Sequence, residues 1–323
     1  MLTGSLQLFS AQLIAADKHH PTRARLLSNS AKNAGSWITT LPYAKELTIS
    51  DTNFKLAVRL RLGLPPQDDL PKRCPCSVEL TSELDHFLTC TRLRRSAATT
   101  RHDLLVRLLD RFIRRAGGAT YVEPNWLGGQ RPDIHVCFPD SRFLLDASVT
   151  HPAAPSYCRA SAFTLLHAAT DREKRKTTKY KALATEEESA FVPFVMETYG
   201  GFGPKAGRFL GELVRRASHL SSPFPLSFRD YATRALSVCL VNGNCFVQQM
   251  GCLRTRELDA KFRRDRRRQE GFTPRLRHSI LHVAPRPSPS PPSPEVPRLQ
   301  VHLTLIPDDA EVRASSPDPD PVT

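Results

Sequence analysis

Four metal-binding side chains crowd into seventeen residues: Cys74, Cys76, His86 and Cys90. Zinc takes four nitrogen or sulfur donors in a tetrahedron, and this set supplies them. His86 and Cys90 are four residues apart, so on a helix they share one face and can grip one ion. Cys74 and Cys76 flank Pro75 in a turn just after Lys72 and Arg73. The segment 66–92 is too short to build a core of its own. A bound metal would therefore supply most of its folding energy. The five other cysteines, at 137, 158, 239, 245 and 252, are irregularly spaced and read as small core residues.

A second set of residues carries harder chemistry. Asp133 and Asp146 are separated by twelve residues whose midpoint falls between Pro139 and Asp140. Pro-Asp-Ser is good turn chemistry, so the two aspartates should face each other across an antiparallel hairpin. Face parity agrees: Ile134, Val136 and Phe138 lie on one side with Asp133 opposite, and Leu145 and Ala147 on one side with Asp146 opposite. Two facing carboxylates repel unless a cation joins them, and oxygen donors suit Mg2+ or Mn2+. Glu123 offers a third carboxylate. Downstream, the basic stretch 172–181 places Lys176 and Lys179 three apart, on one helix face. One of them could point at the acids and steady charge on a phosphate. A solvated basic face is the plainer reading of the same stretch. His151 and Tyr157 suggest no role beyond structure.

The surrounding elements must position these groups. Residues 97–116 read as an amphipathic helix stopped by Gly117-Gly118. Short strands are expected at 120–122, 134–138 and 143–150, and a long helix at 159–188. Residues 191–198 read as a buried strand, although Pro193 argues against a central position. Pro204 opens a helix over 205–219, and 231–250 is a mixed apolar stretch. Residues 52–64 are ambiguous. Ser50-Asp51 could cap a helix, yet apolar residues alternate strictly from Phe54 to Leu64, as in a strand. The expected fold class is α/β (α+β), a mixed sheet flanked by helices.

The chain has 323 residues, enough for one to three domains. It divides into a mixed connector at 1–65, a metal-binding segment at 66–92, the sheet-bearing domain at 93–255 and a tail at 256–323. The tail is basic at 261–268. From 285 onward 11 of 39 residues are proline, so no packed core forms there and disorder is expected. The 40% hydrophobic content excludes full disorder of the chain. The formal charge of +14 calls for an anionic partner. A membrane-surface role would draw on that charge alone, since no long basic helix with an aromatic face supports it. No apolar run approaches a membrane span. Residues 1–16 lack a basic leader and read as the edge of a folded segment, so a nuclear or cytoplasmic location is expected.

Taken in order, these residues resemble a known pattern. Arg131-Pro132-Asp133, twelve residues, Asp146-Ala147-Ser148, a preceding Glu123-Pro124 and a following Lys176-x-x-Lys179-Tyr180 resemble the PD-(D/E)XK nuclease signature. More narrowly, they resemble the restriction-endonuclease-like domain of site-specific non-LTR retrotransposon proteins, which carry a Cys-Cys-His-Cys zinc knuckle just before it. The phrases at 146–152 and 191–200 are also similar to such elements, and the likeness covers roughly 30–220. The resemblance implies a PD-(D/E)XK-type sheet and a DNA endonuclease that nicks its target to prime reverse transcription. It makes Asp133 and Asp146 the Mg2+ ligands and Glu123 an accessory acid. The lysine expected two residues after the second acid is replaced by Ser148, which shifts that role to Lys176 or Lys179. The Cys-x-Cys and His-x-x-x-Cys spacings are tighter than usual. DNA is the implied partner, with RNA a further one. No aromatic-x-Asp-Asp polymerase motif occurs, so the chain reads as the C-terminal part of a longer element. The alternative is a catalytically inactive nucleic-acid-binding remnant.

Overall fold

In the computed structural model, the described residues are 19–81, 85–93, 95–125, 131–218 and 227–269. The expectations for residues 1–16 and for the proline-rich stretch lie outside them. The helices are α1 (His20–Asn29), α2 (Asp51–Leu62), α3 (His86–Thr89), α4 (Arg95–Arg115), α5 (Cys158–Ser161), α6 (His167–Glu186), α7 (Pro204–Arg216) and α8 (Phe228–Gln269). The strands are β1 (Ala119–Val122), β2 (Ile134–Phe138), β3 (Ser141–Thr150) and β4 (Ala190–Glu197). They form one sheet in the order β1-β2-β3-β4.

The first three strands run antiparallel, and β3 pairs with β4 in parallel. Phe138 pairs with Ser141, so Pro139 and Asp140 alone make the β2–β3 turn. A parallel pair needs a crossover, and α5 and α6 provide it between β3 and β4. Pro193 is accommodated because β4 is an edge strand, where a missing N–H leaves no ladder bond unmade.

Helices cover both faces of this mixed sheet. On one face Ile134, Val136, Leu145, Ala147, Phe194 and Met196 pack with Leu105, Leu109, Phe112 and Ile113 of α4, Leu210 and Leu213 of α7, and Leu236 of α8. On the other, Leu144 meets Tyr180 and Leu183 of α6. The expected α/β class with a helix-flanked mixed sheet is therefore what forms.

One open question closes and three local expectations change. Residues 52–64 are not a strand. The Ser50 hydroxyl accepts from the Asn53 N–H, and Gly63, at φ 70°, ends the helix in the left-handed region. Only Leu56, Ala57 and Leu60 are buried, which is helical spacing; the alternate Phe54, Leu62 and Leu64 remain exposed. The helix expected over 159–188 is broken before His167, where Leu166 adopts φ 58°. The stretch 231–250 belongs to a single 42-residue helix. That helix continues through 256–269, so the basic run expected in the tail is helical.

Phe194 is fully buried at the centre of the main core. Phe194→Ala should cost about 3–5 kcal/mol of unfolding free energy. Urea denaturation measures this, and a loss below about 1 kcal/mol would place the core elsewhere.

Candidate metal cluster and acidic cleft

The Cys/His segment folds as a small hairpin followed by one helical turn. The Cys74 N–H bonds to the Val78 carbonyl at 2.8 Å, Leu80 N–H to the Lys72 carbonyl at 2.9 Å, and Arg73 and Glu79 form a bridge. Ser77 sits at φ 75° in the turn. Helix α3 then presents His86 and, at its C-terminal end, Cys90. The four donor atoms of Cys74, Cys76, His86 and Cys90 all lie within 4.8 Å of one another. Cys74 Sγ and Cys90 Sγ are 3.8 Å apart, and Cys76 Sγ lies 3.1 Å from His86 Nε2. A zinc–sulfur bond of about 2.3 Å separates two sulfurs of a tetrahedron by about 3.8 Å, so the donor set and its spacing suit zinc. Burial, foremost, raises the Cys74 thiol pKa. For Cys76, burial is outweighed by the Val78 N–H and the Cys74 and Cys90 thiols, which lower it.

This cluster is not an isolated unit. Cys74, Leu80, Phe87, Cys90 and Leu93 pack with Cys252 of α8. Phe87 lies so close to α8 that a Cβ on Gly251 would come within 2.6 Å of its ring. Arg254 donates to the Leu93 carbonyl at 2.5 Å and to Ser96 Oγ at 2.7 Å. Protein packing therefore shares with any metal the work of holding the loop, contrary to the expectation of a coreless segment.

The sheet builds the second site. Ile134 pairs with Leu145, a register that sets Asp133 opposite Asp146 at the mouth of the β2–β3 ladder. Asp133 Oδ1 lies 3.1 Å from His102 Nε2, and Asp133 Oδ2 accepts the Ala147 N–H at 2.6 Å. Asp146 is 5% exposed, and the Lys176 ammonium from α6 makes an ion pair with its Oδ2. Burial lowers the Lys176 pKa to about 8, against the pull of the Asp133 carboxylate and with a push from Lys179. The hydrogen bond to Asp133 raises the His102 pKa despite partial burial.

Of the two candidate lysines, the one that reaches an acid is Lys176. Lys179 instead lies over the Tyr180 ring, 4.6 Å from its centroid. Glu123 donates its backbone N–H to the Asp133 carbonyl at 2.8 Å, which extends the β1–β2 ladder, but its side chain is exposed and its φ is 48°. Among the described residues, no group of three or more possible ligands forms around Asp133 and Asp146; the Cys/His set is the one such group.

Beside the acids opens a cleft of about 630 Å³, lined among others by Arg101, His102, Ser148, Arg172 and Lys176. Arg101 is buried and donates to Asn244 Oδ1 of α8 at 2.7 Å; Asn244 in turn donates to the Thr198 carbonyl at 2.7 Å. Nothing local in the sequence marks His102 and Arg101. His102 meets an aspartate 31 residues away, and Arg101 an asparagine 143 away. His151, which the sequence suggested was structural, is buried between Thr198 Oγ1 at 2.8 Å and Asp85 Oδ2 at 3.8 Å. Tyr157 lies beneath the Arg175 guanidinium, 5.8 Å from it.

Fold and sites together define an α/β protein with a Cys3His cluster and a buried acid–lysine pair beside a basic cleft. The chain is similar to the retrotransposable element SLACS 132 kDa protein of Trypanosoma brucei gambiense, at 25% identity over 201 residues. That alignment takes in 59% of this chain and 16% of the relative, so the chain spans a small part of that protein's length. No family model matches the sequence. Among the described residues, no helix is long and apolar enough to cross a membrane.

The purified chain should hold one equivalent of zinc by elemental analysis. Cys90→Ser should abolish it, and Gly251→Val, which drives a side chain into Phe87, should weaken zinc affinity at least about tenfold; full affinity in the valine variant would show that α8 does not brace the cluster. Separately, the Lys176 amine should titrate near pH 8 in labelled-lysine NMR, against about 10.4 for surface lysines. Between those values the unfolded chain binds more protons than the folded one, so this residue's contribution to stability rises as pH climbs through about 8. Titration near 10.4 would mean the amine is solvated.

Proposed function

We propose that the chain is a retroelement-derived, metal-dependent DNA endonuclease, with Asp133, Asp146 and Lys176 as its catalytic centre. The observation that carries this reading is the convergence of Asp133, Asp146 and Lys176 beside a cleft lined by Arg101, His102 and Arg172. The similarity to a retrotransposable-element protein supports the retroelement origin. The carboxylates are hard oxygen donors, so Asp133 and Asp146 would hold Mg2+ or Mn2+. A bound divalent ion supplies an activated water and stabilises charge on the phosphate. The chain's own residues do the rest. The Ala147 N–H and His102 fix the Asp133 carboxylate, which leaves its orientation no freedom. Lys176, released from Asp146, puts its positive charge where the scissile phosphate gains negative charge. Arg172 and Arg101 line the way for the flanking backbone. Glu123 and Lys179 stand further out, as accessory groups. The Cys/His cluster would hold zinc and brace the cleft through α8. The product would be a nick whose 3′ end primes reverse transcription by a polymerase that lies outside these residues, in the nucleus.

One observation favours a second reading, in which the chain is a catalytically inactive nucleic-acid-binding remnant. Both Asp133 oxygens and one Asp146 oxygen are already engaged by protein groups. A site content with its own cations has no need of a metal.

Nicking of supercoiled plasmid separates the two. With Mg2+ or Mn2+ the chain should convert plasmid to open circles. Asp133→Ala and Asp146→Ala should each lower the rate at least about a hundredfold, and Lys176→Ala by about ten- to a hundredfold. Plasmid binding without turnover, unchanged by Asp146→Ala, would leave the binding-only reading standing.

A further inference from the structure

Helix α8 carries a feature that neither the cleft nor the metal cluster uses. Up to Thr255 its residues pack against the body; beyond Thr255 none is buried, and residues 260–268 are all exposed. Past Arg256, which pairs with Asp69, this last part contains Lys261, Arg263, Arg264, Arg266, Arg267 and Arg268 against Glu257, Asp259 and Asp265. At about 100° per residue, Arg263, Arg267, Arg264, Arg268 and Lys261 fall within an arc of about 160°. The acids Asp259 and Asp265, with Leu258, Phe262 and Arg266, occupy the other side. Arg263 keeps an ion pair with Asp259 at 2.9 Å, and Asp259 and Asp265 border the cationic face. Glu257 falls inside the arc, one turn before Lys261 at the N-terminal end of the face, and leaves residues 261–268 of that face without an acid. A free peptide of this length would be a marginal helix. Here the nucleus is already formed, because Arg254 and Gly251 fix the preceding turns on the Cys/His segment.

We infer that the α8 extension is a second nucleic-acid contact, a cationic helix face that grips a phosphate backbone independently of the acid cleft. The charge spacing fits. The twelve residues from 257 to 268 span about 18 Å, along which duplex DNA presents about ten phosphates. The composition fits too: five of the six cations are arginine, whose planar fork matches phosphate oxygens in pairs. An acidic membrane would need a broad apolar face to insert, and Phe262 and Leu258, flanked by Asp259 and Asp265, do not make one.

The test is salt-dependent binding of the full chain, zinc-loaded and without added Mg2+, to a duplex of arbitrary sequence and to a single-stranded RNA. The comparison is a fivefold variant carrying Lys261→Gln, Arg263→Gln, Arg264→Gln, Arg267→Gln and Arg268→Gln; glutamine preserves helix propensity. The slope of log affinity against log salt should flatten by about four to five units on duplex, or about three to four on single strands. Flattening on one ligand and not the other names the source of the phosphates. Circular dichroism and zinc content should not change. The same flattening should occur in an Asp133→Ala background, so it stands or falls apart from the nuclease reading. An unchanged slope on both ligands would overturn the inference. So would an unchanged slope accompanied by loss of binding to phosphatidylserine vesicles, which would assign the face to membranes.

Discussion

Asp146 is a carboxylate placed where water barely reaches, on the central part of a sheet and under a helix. A charge in that position costs several kcal/mol unless a partner shares its burial. Lys176 is that partner, and its own pKa falls to about 8 because it too is taken out of water. The pair therefore ties α6 to β3 electrostatically as well as by the Leu144–Tyr180 packing beneath it. Pairing of this kind adds little net stability over an apolar substitute.

The hairpin register makes this arrangement possible. A slip of one residue between β2 and β3 would send Asp133 to the opposite face and break its bonds to Ala147 and His102. The two-residue Pro139-Asp140 turn prevents the slip, and Arg216 of α7 clasps Asp140 with Nη1 at 2.7 Å. Thus the end of the hairpin far from the acids fixes the geometry at the end that carries them.

Helix α8 ties the other parts together. Its first half fills the main core with Leu236 and Leu240 and holds α2 through Val238, Val241 and Cys245. Its middle accepts Arg101 against Gly243, where no side chain would fit, and then packs the Cys/His segment around Gly251. One rigid element thus links the metal cluster, the helix that carries His102 and the strand end at Thr198. Three residues that looked like scattered core cysteines, at 239, 245 and 252, are all on this helix; Cys239 and Cys245 face the core and Cys252 backs the metal cluster.

Local chemistry determined a good deal of this protein. The turn at Pro139-Asp140, the pairing of Asp133 with Asp146, the compact Cys3His set and the helix start at Pro204 depend on residues no more than sixteen positions apart, and their spacing made them readable. The state of 52–64 was harder, because its alternation satisfied a strand and its caps satisfied a helix; burial of Leu56, Ala57 and Leu60 against α8 decided it. The choice of Lys176 over Lys179 was equally undecidable from spacing. Both sit on one face of α6, and the packing of that helix against the sheet delivers one to Asp146 and lays the other on Tyr180. His102, Arg101 and the bracing of the metal cluster by Gly251 were invisible for a further reason. Each joins residues separated by between 31 and more than 140 positions, and only packing of the whole chain around one sheet brings such groups within hydrogen-bonding reach.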